Sequence, residues 1–131
     1  MTTTLARRRI IAVAALVVAS APLGAPAFAN DDDVVRTGSC TGSTDWKLKA
    51  SPENRRIEVE GEVDSNRAGQ TWNWRIVHNG SVAARGTGVT GSRSGSFEAR
   101  RVLSNGAGRD SFVFRARNEA TGEICRGTLT F

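Results

Sequence analysis

The sequence has no tyrosine, one histidine, two cysteines and two lysines. One histidine and one cysteine pair are too few for a zinc site, so no metal is expected, and no other cofactor. The same shortage bears on catalysis. His78 sits beside a turn signal, and no serine lies in a nucleophile-elbow context. Glu58, Glu60 and Glu62 share one open strand face, where nothing separates their pKa values. A carboxylate pair from loops, such as Asp64 with Asp110, is the one arrangement left open. The chain is therefore read as a non-enzyme. Helical periodicity, heptads and internal repeats are lacking after residue 29. No apolar run there is long enough to cross a membrane.

What stands before residue 30 reads as an export signal. Arg7, Arg8 and Arg9 form a basic head, Ile10 to Ala21 an apolar core, and Ala27-Phe28-Ala29 a cleavage site. The expected division is a signal peptide over 1–29, a leader with a first short strand over 30–44, and a β-domain over 45–131. Arg7-Arg8 also partly matches a twin-arginine signal, general secretion being the expected route, and export by either makes the product extracellular. In that compartment Cys40 and Cys125, each the other's sole intramolecular partner, are expected to pair. Closing a loop of about 85 residues stabilises a small fold by roughly 4.5 kcal/mol in the chain-entropy model. Beyond the signal there are 15 basic and 13 acidic residues. Setting aside Asp31, Asp32 and Asp33 leaves a net charge of +5. That is mildly basic, and no nucleic-acid partner is expected.

The remainder alternates with period two. Phe112, Phe114 and Ala116 interleave with Val113, Arg115 and Arg117, and Asn118 to Glu123 supplies a turn before a last strand over Ile124–Phe131. Ile57, Val59, Gly61 and Val63 alternate with Glu58, Glu60 and Glu62. Trp46, Leu48 and Ala50 alternate with Lys47 and Lys49. With Ser51-Pro52-Glu53-Asn54 as the turn, Leu48 pairs with Val59, Lys47 with Glu60 and Lys49 with Glu58. Trp72, Trp74 and Ile76 face one way, and Asn73, Arg75 and Val77 the other. Asn79-Gly80 is a type I′ hairpin signal. It sets His78 opposite Ser81, Ile76 opposite Ala83 and Trp74 opposite Arg85. Asn79-Gly80-Ser81 also matches a glycosylation sequon, but the hairpin accounts for the Asn-Gly. The glycine-rich return, Ser81–Val89, is an edge strand. Phe97, Ala99 and Val102 or Leu103 belong to one more.

Short strands spaced by turns, a tryptophan on the third, and Phe112-x-Phe114-x-Ala116-x-Asn118 followed by Gly122 resemble an immunoglobulin-like or fibronectin type III-like β-sandwich. The resemblance implies an all-β fold of seven to eight strands. Asp45–Ala50, Ile57–Val63, Trp72–Val77, Ser81–Val89, Phe97–Arg101, Ser111–Asn118 and Ile124–Phe131 would be strands A, B, C, C′, E, F and G. Two family features are replaced. Gly61 and Phe114 lie near the places of the usual cysteines, and Phe112 lacks the hydroxyl of a tyrosine corner. The chain also resembles small secreted single-domain proteins of high-GC bacteria.

Two candidate sites follow. Arg75, Arg115, Arg117 and Arg126 point out of one sheet and can grip an anionic envelope polymer, a lipid headgroup or an acidic secreted protein. Trp72 and Trp74, with Arg85 as a cation–π partner of Trp74, can line a cleft for a small molecule or glycan, flanked by Asp64–Gly69 and Ser104–Gly108. Inhibition of a secreted hydrolase is a third class, for which the Gly-rich Thr87–Gly95 looks too loose. The expected protein is a monomeric, non-catalytic binding module.

Overall fold

A computed structural model of the chain describes residues 32–131. The expected signal peptide lies outside the described residues. Among these there are eight strands and no helix. They are β1 (Val34–Ser39), β2 (Asp45–Glu53), β3 (Arg56–Asp64), β4 (Thr71–His78), β5 (Ser81–Val89), β6 (Ser96–Ser104), β7 (Ser111–Asn118) and β8 (Ile124–Thr130). They form two antiparallel four-stranded sheets, ordered β1-β2-β3-β6 and β5-β4-β7-β8. The expected all-β class and strand set are therefore present.

Period-two alternation builds both sheets. In β3, Ile57, Val59 and Val63 are fully buried while Glu58 and Glu62 stand on the outer face. In β7, Phe112, Phe114 and Ala116 turn inward and Val113, Arg115 and Arg117 outward. Trp72, Ile76, Leu48 and Leu129 complete a core between the sheets. Burying a large apolar side chain there contributes about 1.5–3 kcal/mol. The Phe114 ring lies directly against Gly61, so a β-carbon at 61 would collide with it. Where the resemblance predicts a disulfide between sheets, an aromatic ring on a glycine fills the space.

Two registers differ from expectation. Leu48 pairs with Gly61 rather than Val59, so Lys47 faces Glu62 and Lys49 faces Glu60. The cause is the turn. Pro52 stays in β2, opposite Ile57, and the reversal falls on Asn54 and Arg55, both with positive φ (47° and 65°). Pro52 is tolerated because it lies beyond the stretch of β2 that β1 covers, where its missing N–H interrupts no ladder. At the second hairpin Asn79 and Gly80 have φ of 47° and 84°, as a type I′ turn requires, and His78 faces Ser81. A bulge then intervenes. Val77 faces Val82 but Ile76 faces Ala84, so Ala83 is the extra residue. From there Arg75 faces Arg85 and Trp74 faces Gly86.

The ends are tied. Cys40 and Cys125 are joined, linking the segment after β1 to β8 across 85 positions. Beside that bond the Glu123 carboxylate accepts from Gly42 N (3.0 Å), Thr44 N (3.0 Å) and Thr44 Oγ1 (2.9 Å). Ile124 N donates to Thr41 Oγ1, and Thr41 N to the Ile124 carbonyl. At the opposite end the Asp110 carboxylate gathers His78 Nε2 (2.6 Å), Asn79 Nδ2 (3.1 Å) and Gly106 N (3.2 Å), pinning the β6–β7 loop to the Asn79-Gly80 turn.

Candidate functional site

The outer face of the second sheet follows from alternation plus one irregularity. In β4, β7 and β8 the inward residues are Trp74, Phe114, Ala116 and Cys125, which sends Arg75, Arg115, Arg117 and Arg126 outward. Arg85 joins them through the bulge. Without the extra residue at Ala83, Arg85 would sit opposite Trp74 and point into the core side. With it, Arg85 stands opposite Arg75. Re-aiming a side chain in this way is a known use of β-bulges.

The result is a row of four arginines in register, one per strand. Arg85 pairs with Arg75, Arg75 with Arg115, and Arg115 with Arg126. At about 4.8 Å per strand the row crosses the whole sheet over roughly 14 Å. The next row reads Thr87, Asn73, Arg117 and Ile124, and the row on the other side Val82, Val77, Val113 and Thr128. Asn73, Trp74, Arg75, Val82, Arg85, Arg115 and Arg117 line a shallow groove of 250 Å³ over β5, β4 and β7.

Among the described residues none of the five arginines forms an ion pair. Glu119, just past the end of β7, accepts from Asn73 Nδ2 at 3.0 Å. Like charges directly opposite on a ladder destabilise it, and this row has three such pairs.

The outer face of the first sheet is the contrast. Lys47 bonds Glu62 at 2.5 Å, and Lys49 lies 3.2 Å from Asp33 and 3.8 Å from Glu60. Arg100 reaches Glu60, Glu58 and Glu98. Glu60 first, then Glu58, hold the Arg100 guanidinium above its ordinary pKa. The Lys47 ammonium is likewise raised, chiefly by its bond to Glu62. The first sheet neutralises itself and the second does not.

The tryptophan cleft is not formed. Trp72 has no exposed surface and Trp74 is 7% exposed, so neither ring offers a face for stacking. Both sit on the inward side, where they serve as core. Arg85 does not cover Trp74. The guanidinium 5.0 Å from that ring belongs to Arg101, which reaches in from the edge strand β6. The two loops expected to flank the cleft lie at opposite ends of the sandwich, because Asp64 pairs with Ser96 while Ser104 pairs with Arg56. Asp64 and Asp110 are separated in the same way. Asp110 is buried, and its bond to His78, together with those to Asn79 and Gly106, holds its carboxyl below the usual carboxylate range.

Sequence reasoning set Arg85 opposite Trp74, where the structure has it opposite Arg75, and passed over Glu123 as a clamp. Neither the bulge nor the clamp has a local sequence pattern. Compared with known proteins, the chain matches no family model, no curated protein and no solved structure.

Proposed function

We propose that this chain is a secreted, non-catalytic binding module that holds an anionic partner of the cell envelope or its surroundings on the arginine face of the second sheet. The observation that carries the reading is the row Arg85, Arg75, Arg115, Arg126, in register and forming no ion pair among the described residues. Such an arrangement costs the isolated fold stability, and a negatively charged partner removes that cost. Export is supported by the basic, apolar and Ala-x-Ala segments of residues 1–29 and by the Cys40–Cys125 bond. An immunoglobulin-like or fibronectin type III-like sandwich is supported by the strand order β2-β3-β6 facing β5-β4-β7-β8, with β1 added at the edge. The test is co-sedimentation of residues 30–131, disulfide intact, with purified envelopes across a salt series. Pelleting at low salt that fades with added salt, and is lost in Arg115→Ala/Arg117→Ala, is expected. Absence of pelleting at low salt would overturn the reading.

A further inference from the structure

The arginines form a line rather than a disc, and the direction of the line is informative. Four guanidinium-bearing residues cross the strands at right angles, one per strand, while along a strand only Arg115 and Arg117 succeed each other. A ligand bearing one charge would be served by one or two of them. A planar charged surface would be met best by bases spread over the whole face, and here the rows on either side carry only Arg117. A shallow groove over β5, β4 and β7, bounded by Arg75, Arg85, Arg115 and Arg117, accompanies three of the four arginines.

Side chains around the row narrow the chemistry. Its apolar neighbours are Val77, Val82, Val113 and Ile124, and no aromatic ring is exposed on this face. Sugar rings and bases are held by stacking on aromatic faces, which are absent here. What remains is contact with charge. Guanidinium forks take phosphate and carboxylate oxygens alike in bidentate fashion, so the row selects for a succession of anionic groups of either kind.

Resting on the arginine-face reading above, we infer that the partner is a linear polyanion lying across the strands from Arg85 to Arg126, with Arg117 and Asn73 along its flank. The row spans about 14 Å, so the ligand must carry several anionic groups in succession to reach all four arginines. Binding then releases counterions, and log K falls with log salt by about 0.7–0.9 per contact.

The experiment uses residues 30–131 with the disulfide formed and measures binding to long-chain inorganic polyphosphate by fluorescence anisotropy from 20 to 300 mM salt. Pyrophosphate, polygalacturonate, polyglutamate and vesicles containing anionic lipid are the comparison probes. The expected result is a salt slope of about −3 to −4.5, from four or five contacts. Arg75→Ala and Arg85→Ala should each reduce it by about 0.7–0.9, while Arg100→Ala on the opposite sheet should leave it unchanged. Pyrophosphate should compete weakly at equal phosphate concentration. Urea midpoints near wild type exclude unfolding of the exposed variants. Binding to polygalacturonate or polyglutamate with the same changes of slope would support the inference equally and assign the anion as carboxylate. Equal competition by pyrophosphate or an unchanged slope in Arg85→Ala would overturn it. Binding only to vesicles, lost in Arg115→Ala/Arg117→Ala, would overturn the linear polymer and leave the arginine face standing. Binding to none of the probes would count against both.

Discussion

If the arginine row is kept for a partner, removing its self-repulsion should stabilise the free protein. Arg115 is the position to change, because it has an arginine on each side, Arg75 on β4 and Arg126 on β8. Two unit charges 5 Å apart in bulk water repel by about 0.8 kcal/mol, and cross-strand pairs measure about 0.2–1 kcal/mol. Arg115→Glu turns two repulsive pairs into two attractive ones. The expected gain is about 1–2 kcal/mol at 10 mM salt, where the Debye length is about 30 Å. At 1 M salt the Debye length is about 3 Å and most of the gain should vanish. Urea titration suits the test because urea is uncharged, and an unchanged m-value would show that stability alone has moved. Arg115 is half-buried, so its stem also packs on the sheet. Arg115→Lys separates the two effects by keeping the charge and altering the stem. Its change should be small and indifferent to salt. A loss of stability in Arg115→Glu at 10 mM salt, or a gain of equal size at both salt concentrations, would refute the argument that the row is electrostatically strained.

Reduction of Cys40–Cys125, or Cys40→Ser with Cys125→Ser, should lower unfolding free energy by roughly 4.5 kcal/mol, read from urea midpoints with and without reductant. Glu123→Ala removes three hydrogen bonds from the 42–44 segment and should cost about 2–3 kcal/mol, with faster hydrogen exchange at the Gly42 and Thr44 amides as its signature. Gly61→Ala should cost about 1–3 kcal/mol, because the added carbon meets the Phe114 ring in a packed core. The Asp110 carboxyl is lowered in the fold from its ordinary 3.8, chiefly by the bond to His78, so the unfolded chain binds the proton more readily. Its contribution to stability should be complete above about pH 4 and fall away as pH drops through the folded value. Asp110→Asn should flatten stability against pH between 2 and 5, and an unaltered acid limb would show that other carboxylates set it.

Strands were legible because alternation reports facing directly. Register was legible only where a turn had one solution. A slip of two residues leaves every side chain on its own face, so the β2–β3 pattern fits Leu48 against Val59 as well as against Gly61. Both registers also satisfy Lys47 and Lys49 with glutamates. Only the turn decides, and Asn54-Arg55 in left-handed conformation is a weaker signal than Pro52. The second hairpin shows the opposite case. Asn79-Gly80 set His78 against Ser81 correctly, and the bulge then displaced everything beyond Val77 by one. Ala83 and Ala84 carry no polarity by which a sequence could mark such a shift. Four of the five arginines of this face could thus be found from alternation, and Arg85 could not.

The crosslink also matters under tension. Cys40 directly follows β1 and Cys125 lies in the last strand, so a pull applied to the two ends of the described chain reaches the disulfide early. β1 can peel from β2, and β8 beyond Cys125 from β7, but the force then passes through the covalent bond. Everything from Thr41 to Ile124 sits in a closed loop off the load path, including Arg75, Arg85, Arg115 and Arg117. A module tethered by its ends would keep most of its arginine row assembled while the ends are drawn apart, with Arg126 alone of the four on the loaded side.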